Sequence, residues 1–96
     1  MTQLDMGNSP KTEALNIAEE QLVDEYEIVL YDDDFHTFDF VIESLMEVCD
    51  HDSLQAEQCT MIVHYNGKCA VKKGSYEELK PRCSALLDRG LSAEIE

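Results

Sequence analysis

The chain has 96 residues, 44% of them hydrophobic, and a formal net charge of −14. That length suits one small domain with a single core, and that apolar share excludes a chain disordered throughout. The charge argues against a nucleic-acid partner, whose phosphates would meet an anionic surface, and favours a cationic peptide or a basic protein face.

The acid is unevenly placed. Residues 1–52 hold fifteen acids against Lys11, whereas residues 53–96 hold six acids and six bases. No apolar run is long enough to span a bilayer, and the first residues, MTQLDMGNSPKTEA, lack the basic and apolar regions of a signal peptide. A cytoplasmic protein without a membrane partner is therefore expected. Cys49, Cys59, Cys69 and Cys83 form neither a C-x-x-C pair nor a zinc spacing, so they are expected to be small buried hydrophobes, with no metal and no cofactor.

Residues 1–25 read as an acidic extension, polar and turn-rich at first. Within it EALNIAEEQLV, residues 13–23, could form a short amphipathic helix with Leu15, Ala18 and Leu22 on one side. Alone in water so short a helix is marginal, which suits an arm that orders on a partner. The compact domain is expected over residues 26–96. Tyr26, Ile28 and Leu30 alternate with Glu27 and Val29, the pattern of a strand buried mainly on one face.

A helix should begin near His36 or Thr37, with Phe38, Val41, Ile42, Leu45, Val48 and Cys49 inward and Asp39, Glu43 and Glu47 outward. Asp52 or Ser53 can cap a second helix, with Gln55 in a capping-box-like position and Gly67 as its stop. KCAVKK, residues 68–73, reads as a short strand. Ser75 and Glu78 form an S-x-x-E box opening a third helix with Leu79, Cys83, Leu86 and Leu87 inward. Pro81 should bend or weaken that helix, Gly90 should end it, and LSAEI can be a last strand. The order β-α-α-β-α-β predicts an α/β (α+β) sandwich, a three-stranded sheet covered by helices.

The first strand runs into three aspartates, Asp32, Asp33 and Asp34, which repel one another. A calcium loop starting at Asp32 would place Thr37 where its sharp turn needs glycine, and would consume the helix pattern from Phe38. A phosphoacceptor receiver domain needs about five strands, more than roughly 70 residues supply. No nucleophile, phosphate loop or metal spacing accompanies the acids, so an enzyme is not expected. A solvated turn and helix cap is the plain alternative. The segment VHYNGK, residues 63–68, nevertheless puts His64 at the end of the second helix, where a compact sandwich could return it beside the aspartates. Acceptor oxygens and an imidazole around a shallow apolar pocket would form a receptor for an ammonium group.

The strand, the acidic turn, the F-x-F-V-I helix start and V-H-Y-x-G-K together resemble the ClpS family, adaptors that deliver N-degron substrates to the Clp AAA+ protease. The resemblance covers residues 26–96. It implies a monomeric binding protein without catalysis that holds a free α-amino group through Asp32, Asp33, Asp34 and His64. The substrate's large apolar N-terminal side chain would fill a pocket using His36, Phe38, Thr60 and Leu91 with the strand and helix residues between them. Glu77 and Arg82 would fall where the family contacts the N-terminal domain of the Clp unfoldase, and residues 1–25 would engage the protease machine. Asp32 stands where the family has asparagine, His36-Thr37 replaces Thr-Pro, Phe38 replaces a flexible methionine, and Thr60 replaces an apolar lining residue. A same-fold Clp modulator that reads another signal, or a generic acidic interaction module, are the alternatives.

Overall fold

The computed structural model describes residues 25–96; of the expected extension 1–25, with its short helix, all but Glu25 lies outside the described residues. Six elements follow in the expected order: β1 (Tyr26–Tyr31), α1 (Phe38–Cys49), α2 (Ser53–Asn66), β2 (Lys68–Gly74), α3 (Tyr76–Asp88) and β3 (Ser92–Ile95). The strands form one antiparallel sheet in the order β2-β1-β3, with the helices packed against it as an α+β sandwich.

Placing β1 in the centre corrects the expectation of a strand buried mainly on one face. Ile28, Val29 and Leu30 alternate between the two faces of this central strand yet are 0%, 4% and 1% exposed, so neither face is open to solvent there. Its pairing with β2 shifts between Ile28 and Val29, which face Lys72 and Ala70, so Val71 is the extra residue of a bulge. Val71 is buried, and its carbonyl accepts from His51 Nε2 at 2.7 Å. A carbonyl only accepts, so Nε2 carries the ring proton. Nδ1 is then a bare acceptor, buried and without a partner among the described residues. This bond ties the loop between α1 and α2 to the sheet.

The helix ends follow local rules. Thr37 caps α1 by accepting from Phe40 N at 3.1 Å. Asp52 caps α2 by accepting from Gln55 N at 2.8 Å, and only this forward half of the expected box forms. Ser75 and Glu78 form the full box at α3. Pro81 does not break α3, which continues to Asp88. The carbonyl it leaves without an intrahelical donor is that of Glu77, an exposed residue that solvent can serve. Leu87 is half exposed rather than inward, because Leu79, Cys83 and Leu86 take the buried stripe and Leu87 lies about 100° around the helix from Leu86.

The core joins Ile28 and Leu30 of β1 to Leu45 and Cys49 of α1, Ala56 and Val63 of α2, and Leu79 and Leu86 of α3. Cys49 and Cys83 are buried as expected, whereas Cys59 and Cys69 are half-buried, and all four are free thiols. Burial pushes the Cys49 thiol up to about 11.

Two arginines, Arg82 within α3 and Arg89 at its C-cap, fasten α1. Arg82 Nη1 donates to Val48 O at 2.6 Å and pairs with Asp50 at 3.0 Å, just where α1 ends in the left-handed Asp50. Arg89 donates to Ser44 Oγ at 3.2 Å and pairs with Glu47.

The His51 bond yields a test. His51→Leu substitutes an apolar side chain of comparable bulk and leaves the buried Val71 carbonyl without its donor. Unfolding in urea should show a loss of about 1–3 kcal/mol at an unchanged slope. Stability within about 0.5 kcal/mol of the native protein would mean that the bond does not secure the loop.

Candidate functional site

The site grows from the end of β1. Asp32 N donates to Gly67 O at 2.9 Å, continuing the strand pairing past Tyr31 and Lys68. Gly67 ends α2 with a φ of 93°, a left-handed conformation that glycine adopts without penalty. This bond therefore holds the last turn of α2, and His64 within it, beside the acidic turn.

Asp33 organises the turn. Its Oδ1 accepts from Phe35 N at 2.8 Å and from His36 N at 3.0 Å, and its Oδ2 pairs with His36 Nδ1 at 3.0 Å. Burial raises the Asp33 carboxyl, but the His36 and Phe35 amides and the His36 ring together outweigh it and hold the group below its usual value of 3.8. Asp32 and Asp34 are exposed, and neither makes a side-chain hydrogen bond among the described residues. Three adjacent acids thus divide into one that builds the turn and two that stand open at its mouth.

His36 leaves the turn in a fixed pose. Its ring stacks on Phe40, with centroids 4.9 Å apart and planes 20° from parallel. It also lies over Gly90, where an added Cβ would sit 3.3 Å from Nε2. Gly90 has a φ of 88° and closes α3: Gly90 N donates to Leu87 O at 2.9 Å and Leu91 N to Leu86 O at 3.1 Å. The closure turns the chain so that Leu91, 3% exposed, enters the same region as His36.

These elements enclose a cavity of about 240 Å³ whose lining includes Asp32, Asp33, Asp34, His36, Phe38, Thr60, His64 and Leu91. All eight residues singled out in the sequence for the amine end and the side-chain pocket meet there, from the acidic turn, α1, α2 and the turn before β3. Leu30, Tyr31, Val41 and Val63 complete the wall. Phe38, expected on the inward face of its helix, is instead 40% exposed at the rim, its ring edge-on to His64 with centroids 5.0 Å apart. Tyr31 donates its phenol hydrogen to Glu96, and this bond pushes its hydroxyl up to about 12. Phe35 and Tyr65 are exposed nearby in sequence, and no sequence signal marked them for the site.

Glu77 and Arg82 are not part of this lining. Glu77 is exposed in the first turn of α3, whereas Arg82 is half-buried and committed to the end of α1. Among the described residues no group of three metal-ligating side chains converges, and no helix is long and apolar enough to cross a membrane.

The family model for the ATP-dependent Clp protease adaptor protein ClpS matches residues 21–94. An ATP-dependent Clp protease adapter protein ClpS of Campylobacter jejuni (strain 81-176) is 36% identical over 58 residues, covering 60% of each chain. The chain thus spans about 60% of the length of the Campylobacter relatives it matches. The ClpS adapter of Sodalis glossinidius is 31% identical over 80 residues, 75% of this chain and 76% of that one. The structure of Agrobacterium tumefaciens ClpS2 bound to L-phenylalaninamide shares the fold, with a TM-score of 0.69 and 20% identity over 77% of this chain and 99% of that one. With its element order, its acidic turn against the end of α2 and a family match across nearly the whole described domain, the chain belongs to the ClpS family of Clp protease adaptors.

Proposed function

We propose that the protein is an adaptor that binds substrates through a free N-terminal amino group and a large hydrophobic N-terminal side chain, and presents them to a Clp AAA+ unfoldase. The observation that carries this reading is the convergence of three carboxylates and the His64 imidazole on a cavity whose lining also includes the apolar Leu30, Val41, Val63 and Leu91. An ammonium needs acceptors, which Asp32, Asp34 and the remaining lone pairs of Asp33 and His64 supply. A hydrophobic side chain needs apolar surface to pack on, which Leu30, Val41, Val63 and Leu91 contribute. The ligand of Agrobacterium ClpS2, L-phenylalaninamide, combines those two features, a free α-amine and a benzyl group.

The protein performs no catalysis in this reading, and it acts in the cytoplasm as a monomer. Glu77 and the part of Arg82 left open to solvent contribute to the face that meets the N-terminal domain of the unfoldase. Residues 1–25 engage the same machine. Asp32 supports a strong grip on the ammonium, since a carboxylate brings a full charge, but it offers no donor to the carbonyl that follows.

A short peptide beginning in Phe, titrated against its N-acetylated twin, tests the reading. Charge-assisted hydrogen bonds to a partly desolvated ammonium contribute roughly 1.5–3 kcal/mol each, so acetylation should cost more than about a hundredfold in affinity. Equal binding of the two peptides would reduce the acidic turn to a solvated cap. Phe38→Ala should open the rim and admit β-branched Val and Ile at the N-terminus; an unchanged ranking of Leu, Phe, Tyr, Val and Ile peptides would remove Phe38 from specificity.

The turn itself has a pH signature. Because the folded-state Asp33 carboxyl is lowered, its contribution to stability is present above 3.8 and is lost as pH falls through the lowered value. The melting-temperature gap between the native protein and Asp33→Asn should therefore be constant near neutrality and close on acidification below about pH 4. A gap that persists unchanged into that range would show that the ionised carboxylate does not hold the turn.

A further inference from the structure

Three groups lining the cavity carry a proton whose destination is fixed by the structure, and each commits it to a protein acceptor. Thr60 donates its hydroxyl hydrogen to Ala56 O, one turn back in α2, at 2.8 Å. Tyr31 donates to Glu96. His36 donates its Nδ1 hydrogen to Asp33 Oδ2, since an ionised carboxylate can only accept. Asp32 and Asp34, at the mouth, are acceptors as well. Thr60 and Tyr31 so assigned have lone pairs left to offer a guest and no hydrogens, as has His36 whenever its ring is neutral.

Burial distinguishes Thr60 from the others. Tyr31 and His36 are partly exposed, so solvent can satisfy their free lone pairs with a guest in place. Thr60 is 3% exposed, so its oxygen has almost no water to turn to, and a second partner has to come from a guest in the cavity it lines. An apolar ring then leaves that oxygen without a second partner, whereas a ring that ends in a donor completes it.

We propose that Thr60 is a specificity-determining residue that makes the pocket favour an N-terminal aromatic side chain ending in a hydrogen-bond donor, tyrosine above all, over phenylalanine and leucine. The inference rests on the proposed function, in that the N-terminal side chain must occupy this cavity. It goes beyond it by ranking side chains that differ by one hydroxyl.

The test uses the full chain and peptides identical except at the first residue: Tyr, Phe and para-fluorophenylalanine, each with a free amine, and N-acetylated Phe. Tyr should bind about three- to tenfold more tightly than Phe, as one buried neutral hydrogen bond allows, and para-fluorophenylalanine, similar in shape but without a donor, should bind like Phe. Thr60→Val should bring the Tyr-to-Phe ratio to about one, and Thr60→Ser should preserve it. Tyr binding no better than Phe in the native protein, or a preference that survives Thr60→Val, overturns the proposal. The native-protein comparison decides alone if Thr60→Val does not fold. Should acetylated Phe bind as well as free Phe, the N-terminal reading itself fails; should the free amine matter but the ratio stay at one, only the role of Thr60 fails.

Discussion

Three successive carboxylates can share one turn because the charge of the middle one is met by local hydrogen-bond donors. Asp33 accepts from two backbone amides and an imidazole within three residues of itself, which converts a repulsive cluster into a rigid corner. Everything at the mouth of the cavity depends on that corner. It aims His36 at Gly90, starts α1 at Thr37, and leaves Asp32 and Asp34 exposed without side-chain hydrogen bonds among the described residues. A turn built by solvent alone would let those two charges drift apart; here their separation is set by covalent geometry and by the Asp32–Gly67 backbone bond.

Much of this was legible from local chemistry. Caps at Thr37, Asp52 and Ser75 and stops at Gly67 and Gly90 are short-range signals, and each acts where its residue type predicts. The juxtaposition of His64 with the aspartates was legible too, because a strand and the helix preceding its neighbour must end together in a small sandwich. What was not legible arises between elements. The buried stripe of α2 is Ala56, Thr60 and Val63, while its larger residues Leu54, Met61 and Ile62 are exposed, so residue size points to the wrong face. The bulge at Val71 and the His51 bond that serves it depend on strand register, which no window of sequence contains. Phe38 fits the helical pattern of a core residue, yet as the first residue of α1 it lies beyond the packed interface and becomes rim.

Arg82 shows a different limit. Its position matched a docking role, and sequence gives no sign that the same guanidinium closes a neighbouring helix. A long cationic side chain can hold a carbonyl with one nitrogen and keep its remaining donors at the surface, so internal and external partners are not exclusive. Substitution there would disturb α1 and the outer face together, whereas Glu77, exposed and without such ties, reports on the outer face more cleanly.

The two arginine anchors fall on the second half of α1, at Ser44, Glu47, Val48 and Asp50, and none on its first turn, where Phe38 borders the cavity. The first turn is held instead by short-range contacts, the Thr37 cap and the His36–Phe40 stack. Exchanging the exposed rim residue Phe38 therefore reshapes the cavity mouth without touching the arginine bonds at the other end of the helix. Lineages can thus retune which guests are admitted by exchanging residues at the tip, with little consequence for folding, and the diversity of such receptors is expected to collect there rather than along the anchored half.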